Sequence, residues 1–185
     1  MRRILIALAT VLTVATLSVS TASSAAATSP HFKKGGEPVC TVTTSGATSS
    51  TTCTGALAGL GNDDLLITTT VSGFAVYQCR NQGGNTAPGQ NKVLVGPVVA
   101  PTFISGDEIK NGNLRFTTNP AVLTSPATVT GAEAGCPNPN WTGVNPVLTT
   151  TDITLTIEQP IGTLLFTCTA SDPDGLSGSV ALTCV

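Results

Sequence analysis

Three features of the sequence predict an all-β fold: an antiparallel two-layer sandwich of immunoglobulin-like type, with about nine strands and three disulfides. Apolar residues recur at every second position, and no long stretch carries them at helical spacing. The alternating runs are built from Thr, Val, Ile and Leu, residues suited to a pleated, half-buried surface. Clusters of Gly, Pro, Asn, Asp and Ser break these runs at short intervals, as turns between short strands require. A barrel is the alternative way to close such a sheet.

The first element is not part of that fold. Arg2 and Arg3 precede an apolar run from Ile4 to about Leu17, followed by small residues ending Ala25-Ala26-Ala27. A basic start, a short apolar centre and an Ala-x-Ala exit are the layout of a secretory signal peptide, expected to span residues 1–27. The run is short for a bilayer span, and no second apolar stretch of about 18 residues follows, so neither a membrane span nor an anchor is expected. Residues 28–38 read as a flexible lead-in, and 39–185 as a single domain.

Within that domain, CTVTTSGATSSTTC (40–53) is nearly mirror-symmetric about Gly46-Ala47, so a tight hairpin there sets Cys40 opposite Cys53. LLITTTVSGFAVYQC (65–79) alternates, but Phe74 and Val76 lie on the parity opposite to Leu65, Ile67 and Val71; a bulge at Ser72-Gly73 accounts for the change. KVLVGPVVA (92–100) carries Pro97, with Pro101 just beyond, which places it at a sheet edge or crossing. EIKNGNLRFTT (108–118), bent at Asn111-Gly112, and PATVTG (126–131) are further strands. In VLTTTDITLTI (147–157), Val147, Ile153, Leu155 and Ile157 share the inward parity. TLLFTCTA (163–170) and GSVALTC (178–184) flank the turn cluster SDPDGLSG, forming a hairpin that brings Cys168 to Cys184 on one apolar face.

Cys40, Cys53, Cys79, Cys136, Cys168 and Cys184 all follow the expected cleavage site, and no pair has C-x-x-C spacing. In an exported chain this favours disulfides over a zinc or redox site. With 40–53 and 168–184 assigned to hairpins, Cys79 and Cys136 remain to join remote segments. Past residue 27 the chain holds six Lys and Arg against ten Asp and Glu, a scattered net charge of −4. It lacks the clustered basic face that nucleic acid requires.

Catalytic chemistry is poorly supplied. His31, the one histidine, lies in the lead-in, whereas a nucleophile–His–acid relay needs a rigidly held imidazole. Asp63-Asp64, Asp107-Glu108 and Asp172/Asp174 are carboxylate pairs, but adjacent acids on turns are solvated turn formers rather than a pair facing across a cleft. SDPDG resembles part of a calcium loop without its remaining ligands. No catalytic residue, metal site or cofactor is expected. The threonine runs at 68–70 and 149–151, with TVT and TLT elsewhere, show no fixed repeat of the kind that flat threonine arrays in ice-binding proteins use. They read as ordinary outward strand residues.

One region suits recognition. If Cys136 is tied to Cys79, the rigid CPNPNW stretch (136–141) brings Trp141 beside the 80–91 loop. Arg80, Asn81, Gln82, Asn85, Gln90 and Asn91 then offer guanidinium and amide groups next to one aromatic face, a surface for an extracellular glycan or a protein. Asn140-Trp141-Thr142 also fits the N-glycosylation acceptor pattern. GLGNDDL (59–65), AVYQCRNQGGNTAPGQNK (75–92), CPNPNW and the terminal cysteine pair are together similar to a group of secreted proteins of actinobacteria and related soil bacteria. That resemblance covers nearly all of the chain after residue 27. It implies a bacterial exported protein with an immunoglobulin-like sandwich, and brings no activity with it. The expected function is therefore a secreted, non-enzymatic binding or structural module. The alternatives are a protease inhibitor presenting the 79–91 loop, or a carboxylate hydrolase.

Overall fold

A computed structural model describes residues 29–185; the expected signal peptide at 1–27 lies outside them. The described residues form two antiparallel sheets. The chain runs through β1 (His31–Phe32), β2 (Val39–Ser45), β3 (Thr48–Ala58), β4 (Leu65–Arg80), β5 (Thr86–Pro88), β6 (Val93–Ile104), β7 (Leu114–Thr117), β8 (Ala121–Thr124) and β9 (Thr128–Thr130). A short helix α1 (Gly131–Ala134) precedes β10 (Thr142–Glu158), β11 (Leu164–Leu176), β12 (Gly178–Ala181) and β13 (Thr183–Cys184). Thirteen strands thus replace the nine expected. The additional ones are short, β8 among them, and too brief to show a period of their own.

The first sheet has the order β1-β3-β2-β12, with β7 and β8 also paired to β3; the second runs β13-β11-β10-β4-β5, with β6 on β4 and β9 on β10. Register follows the sequence closely in the first hairpin, where Cys40 faces Cys53 and Ser45 faces Thr48. Pro101 sits on β6, whose pairing partner is β4, in keeping with the edge position its missing N–H demands. The disulfides are Cys40–Cys53, Cys79–Cys136 and Cys168–Cys184.

Several local expectations are corrected. The lead-in is not loose over its described part: His31 and Phe32 pair with Ala58 and Leu57, and the Phe32 ring lies 4.6 Å from that of Phe166. β4 does not change parity, since Val71, Ala75, Tyr77 and Cys79 stay buried together with Leu65 and Ile67. The irregularity at Ser72-Gly73 belongs to its neighbours: β10 inserts Thr151, and β6 inserts Gly96-Pro97 opposite Ser72. That insertion also turns Val147 outward, 61% exposed, and sends Leu148 and Thr150 into the core. Phe74, on the outer face, is covered by Lys92, whose Nζ stands 4.1 Å from the ring centroid.

The expected 163–184 hairpin is mostly absent. SDPDG is an outward excursion within β11, because Asp152 pairs with Ser171 while Thr150 pairs with Leu176. β12 then crosses to the first sheet and pairs with β2, Leu182 is buried between the layers, and β13 returns to β11 for two residue pairs. A second offset, at Leu165, turns Leu164 outward opposite Glu158. Residues 108–113 form the end of a 3-10 turn and a bend closed by the Lys110–Asn113 bridge, so the strand starts only at Leu114.

The core divides in two. One cluster gathers Leu57, Leu65, Ile67, Phe116, Ile153, Leu155 and Ile157; the other gathers Val71, Tyr77, Leu123, Ala134 and Leu148. Along β4 and β10 the residues between them are Thr69 and Thr150, and a 2.8 Å bond from Thr150 to Ser49 links the two sheets there. At one end of the sandwich, buried Gln159 ties down the 59–63 loop through bonds to Gly61 N–H and to the carbonyls of Gly61 and Asp63.

Candidate functional site

The 80–91 segment leaves the end of β4 and turns back upon itself. Asn81 closes the turn, accepting from Asn85 N–H at its side-chain oxygen (2.9 Å) and from Gly84 N–H at its carbonyl (3.0 Å). β5 then pairs with Gln78 to Arg80. Gly89 packs where a side chain would strike the carbonyls of Tyr77 and Ala134, so the chain can lie flat there only with glycine. The loop is thus a pinned hairpin, with backbone paired along its return.

Asn91 anchors it. Its N–H and that of Gln90 donate to Ala134 O, and its side-chain amide donates to the carbonyls of Ala132 and Glu133. These carbonyls belong to the last turn of α1, where a helix leaves acceptors over; the Ala132 carbonyl also accepts from Gly135 N–H. At the other end Thr130 and Glu133 form a reciprocal capping box, and Gly135 closes the helix at φ +67°. The Glu133 carboxyl is held below the usual carboxylate range, first by the Thr130 hydroxyl and then by the Thr130 backbone N–H. It is an anion at neutral pH, with no proton to give.

Cys136 follows, bonded to Cys79. From there Asn138 organises the next turn, accepting from Asn140 N–H at Oδ1 (2.9 Å) and from Trp141 N–H at its carbonyl (3.0 Å). Trp141 is half-buried against the second core cluster. It borders two shallow depressions. One, of about 540 Å³, is lined by Asn81, Gln82, Gly83, Asn138, Asn140 and Trp141. The other, of about 580 Å³, shares Trp141 with the first and includes Thr128, Thr130, Glu133, Pro139 and Thr142 in its lining.

Of the residues expected to form a surface, the fold brings Asn81, Gln82 and Trp141 together. Arg80, Asn85 and Gln90 are exposed but do not line the depression, and Asn91 is occupied by the helix. Asn138 and Asn140 join the site as well: Asn140 is expected only as a glycosylation acceptor and Asn138 not at all, although their Pro-separated spacing within CPNPNW is the available signal. Asn81 and Asn138 spend their side-chain oxygens on their own turns, which leaves their NH₂ groups as the donors.

One member of each acidic pair accepts a nearby backbone N–H. Asp64 accepts from Gly106 N–H, Glu108 from Ser105 N–H and Asp172 from Asp174 N–H. Asp152, bound by Ser171, Thr151 and Ser72 hydroxyls, has its carboxyl lowered by those bonds. Among the described residues, no three His, Cys, Asp or Glu side chains gather as a metal site, and no helix is long and apolar enough to cross a membrane. The positive charge is less scattered than the sequence suggests: Lys33, Lys34 and Arg115 line one further depression, though Glu37 lies among them. No known protein family, curated protein or solved structure matches the chain.

Proposed function

We propose that this is a secreted, immunoglobulin-like and non-enzymatic binding module whose Trp141 surface takes a neutral, extended glycan. The observation that carries the reading is that one half-buried indole lines two open depressions at once. An aromatic face covers the apolar face of a sugar ring, while amide NH₂ groups in one depression and threonine hydroxyls with Glu133 in the other meet its hydroxyls. Shallow, open sites suit a polymer that passes over the surface, and the Cys79–Cys136 link fixes both walls at once. The paired, hairpin form of the 80–91 loop favours this over a protease inhibitor, whose reactive segment must be extended to enter a substrate cleft.

The test is binding of the secreted protein to an array of neutral plant, fungal and bacterial oligosaccharides, followed by calorimetry on any that bind. Trp141→Ala is expected to weaken binding by at least about tenfold, the loss of roughly 1.4 kcal/mol, with the thermal transition retained. Equal binding by wild type and Trp141→Ala would remove the proposal.

A further inference from the structure

The outer face of the second sheet carries an arrangement that the linear sequence hides. Thr68 and Thr70 on β4 face Thr156 and Thr154 on β10, which in turn face Thr167 and Thr169 on β11. Three T-x-T segments far apart in sequence therefore lie side by side in register. They make two rows of three threonines, Thr68-Thr156-Thr167 and Thr70-Thr154-Thr169. Between each pair, the intervening residues Thr69, Leu155 and Cys168 point inward and are fully buried. The rigid core beneath, with Cys168 disulfide-bonded to Cys184, holds the rows in place.

The array has two fixed repeats. Neighbouring strands lie about 4.7–4.9 Å apart, and alternate residues along a strand are separated by about 6.4–6.8 Å. Oxygen atoms on a prism plane of hexagonal ice repeat close to the first of these spacings and somewhat beyond the second. Each threonine presents a methyl group, beside which first-shell water is orientationally restricted, and a hydroxyl able to join a water network. The two rows contain no ionisable side chain, and the β6 residues continuing them, Pro101 and Val99, are also neutral. Beyond β11 the rows continue to Thr183, which faces Thr169, and to Val185, whose backbone bonds to that of Thr167; charged side chains stand in the next rows, at Asp152 on one side, where Ser72 and Ser171 are hydrogen-bonded, and at Glu158 on the other.

We infer that this face binds ice, as a short, neutral lattice of methyl and hydroxyl groups. Neighbouring strands rotate by about 20–25°, so the match holds over these two rows rather than over a long surface. The first sheet supplies a comparison: Thr41 faces Thr52, but the flanking rows there mix Val39 with Thr54 and Thr43 with Ser50, and do not repeat. The inference is independent of the Trp141 surface.

The test is partition of the dye-labelled protein into a slowly grown ice hemisphere, with inhibition of ice recrystallisation as a second readout. Wild-type protein is expected to enter the ice and slow grain growth, whereas Thr154→Lys, at the centre of the array, is excluded. Thr52→Lys on the opposite sheet and Trp141→Ala should behave as wild type. Melting curves and intact disulfides establish that each variant is folded. Exclusion of folded wild type, or equal loss in Thr154→Lys and Thr52→Lys, overturns the inference. So does a wild-type dimer that Thr154→Lys converts to monomer without any ice partition, because the face would then serve a second copy of the chain.

Discussion

Thr51 and Thr69 are fully buried, and among the described residues their Oγ1 atoms have no hydrogen-bond partner. Each hydroxyl gives up its hydration on folding without replacement, at a cost of about 1–3 kcal/mol. Valine has nearly the same shape and no such cost. Thr69→Val should therefore raise stability by about 1 kcal/mol, measured by urea unfolding; a lower midpoint would mean that the hydroxyl is satisfied in solution. At this scale the sequence is readable where chemistry permits one outcome. The six cysteines and the Gly46-Ala47 turn are of this kind, because covalent pairing and a symmetric hairpin leave little freedom. It is unreadable at Asn91 and Thr69, where an amide or a hydroxyl serves equally well outside or inside, and its role depends on what the fold places opposite.

Strand parity shows the same boundary at the scale of elements. Apolar Phe74 and Val76 suggest a bulge within β4 at Ser72-Gly73, yet β4 keeps its parity and the extra residues belong to β6 and β10. One strand's pattern records a fault in register without saying which partner carries it. Gly73 is required there because a Cβ would run into the Thr149 carbonyl of the adjoining strand. Gly73→Ala should consequently destabilise the protein by about 1–3 kcal/mol, the usual cost of overpacking, despite alanine's better fit to an ordinary strand. Thermal melting measures it, and an unchanged midpoint would show that the strands can separate to admit the methyl group. SDPDG looked like a turn because its residues favour turns, and locally it is one. The strand resumes beyond it because Leu176 regains a partner in Thr150, a tertiary contact that no local preference can signal.

For the whole molecule, Cys79–Cys136 differs from the other two links by spanning 57 residues rather than 13 or 16. Loop-closure entropy makes such a cross-link worth about 4 kcal/mol, against about 3 for the short ones. Removing it as Cys79→Ala/Cys136→Ala should lower the melting temperature by roughly 8–16 °C. It should also loosen Trp141 relative to Asn81, so that tryptophan fluorescence changes below the main transition. A single transition with unchanged early fluorescence would show that α1 and Asn91 hold the site unaided. The layered all-β class was legible in composition and alternation. The crossing of β12 between sheets was not, since a four-residue strand can satisfy either edge.

The direct facing of Cys40 with Cys53 and of Cys168 with Cys184 also bears on how these strands keep their alignment. Sliding either strand by one position would throw its sulfur to the far side of the pleat, beyond reach of its mate. Each bond, once closed, therefore holds its pair of strands against a slip of one residue.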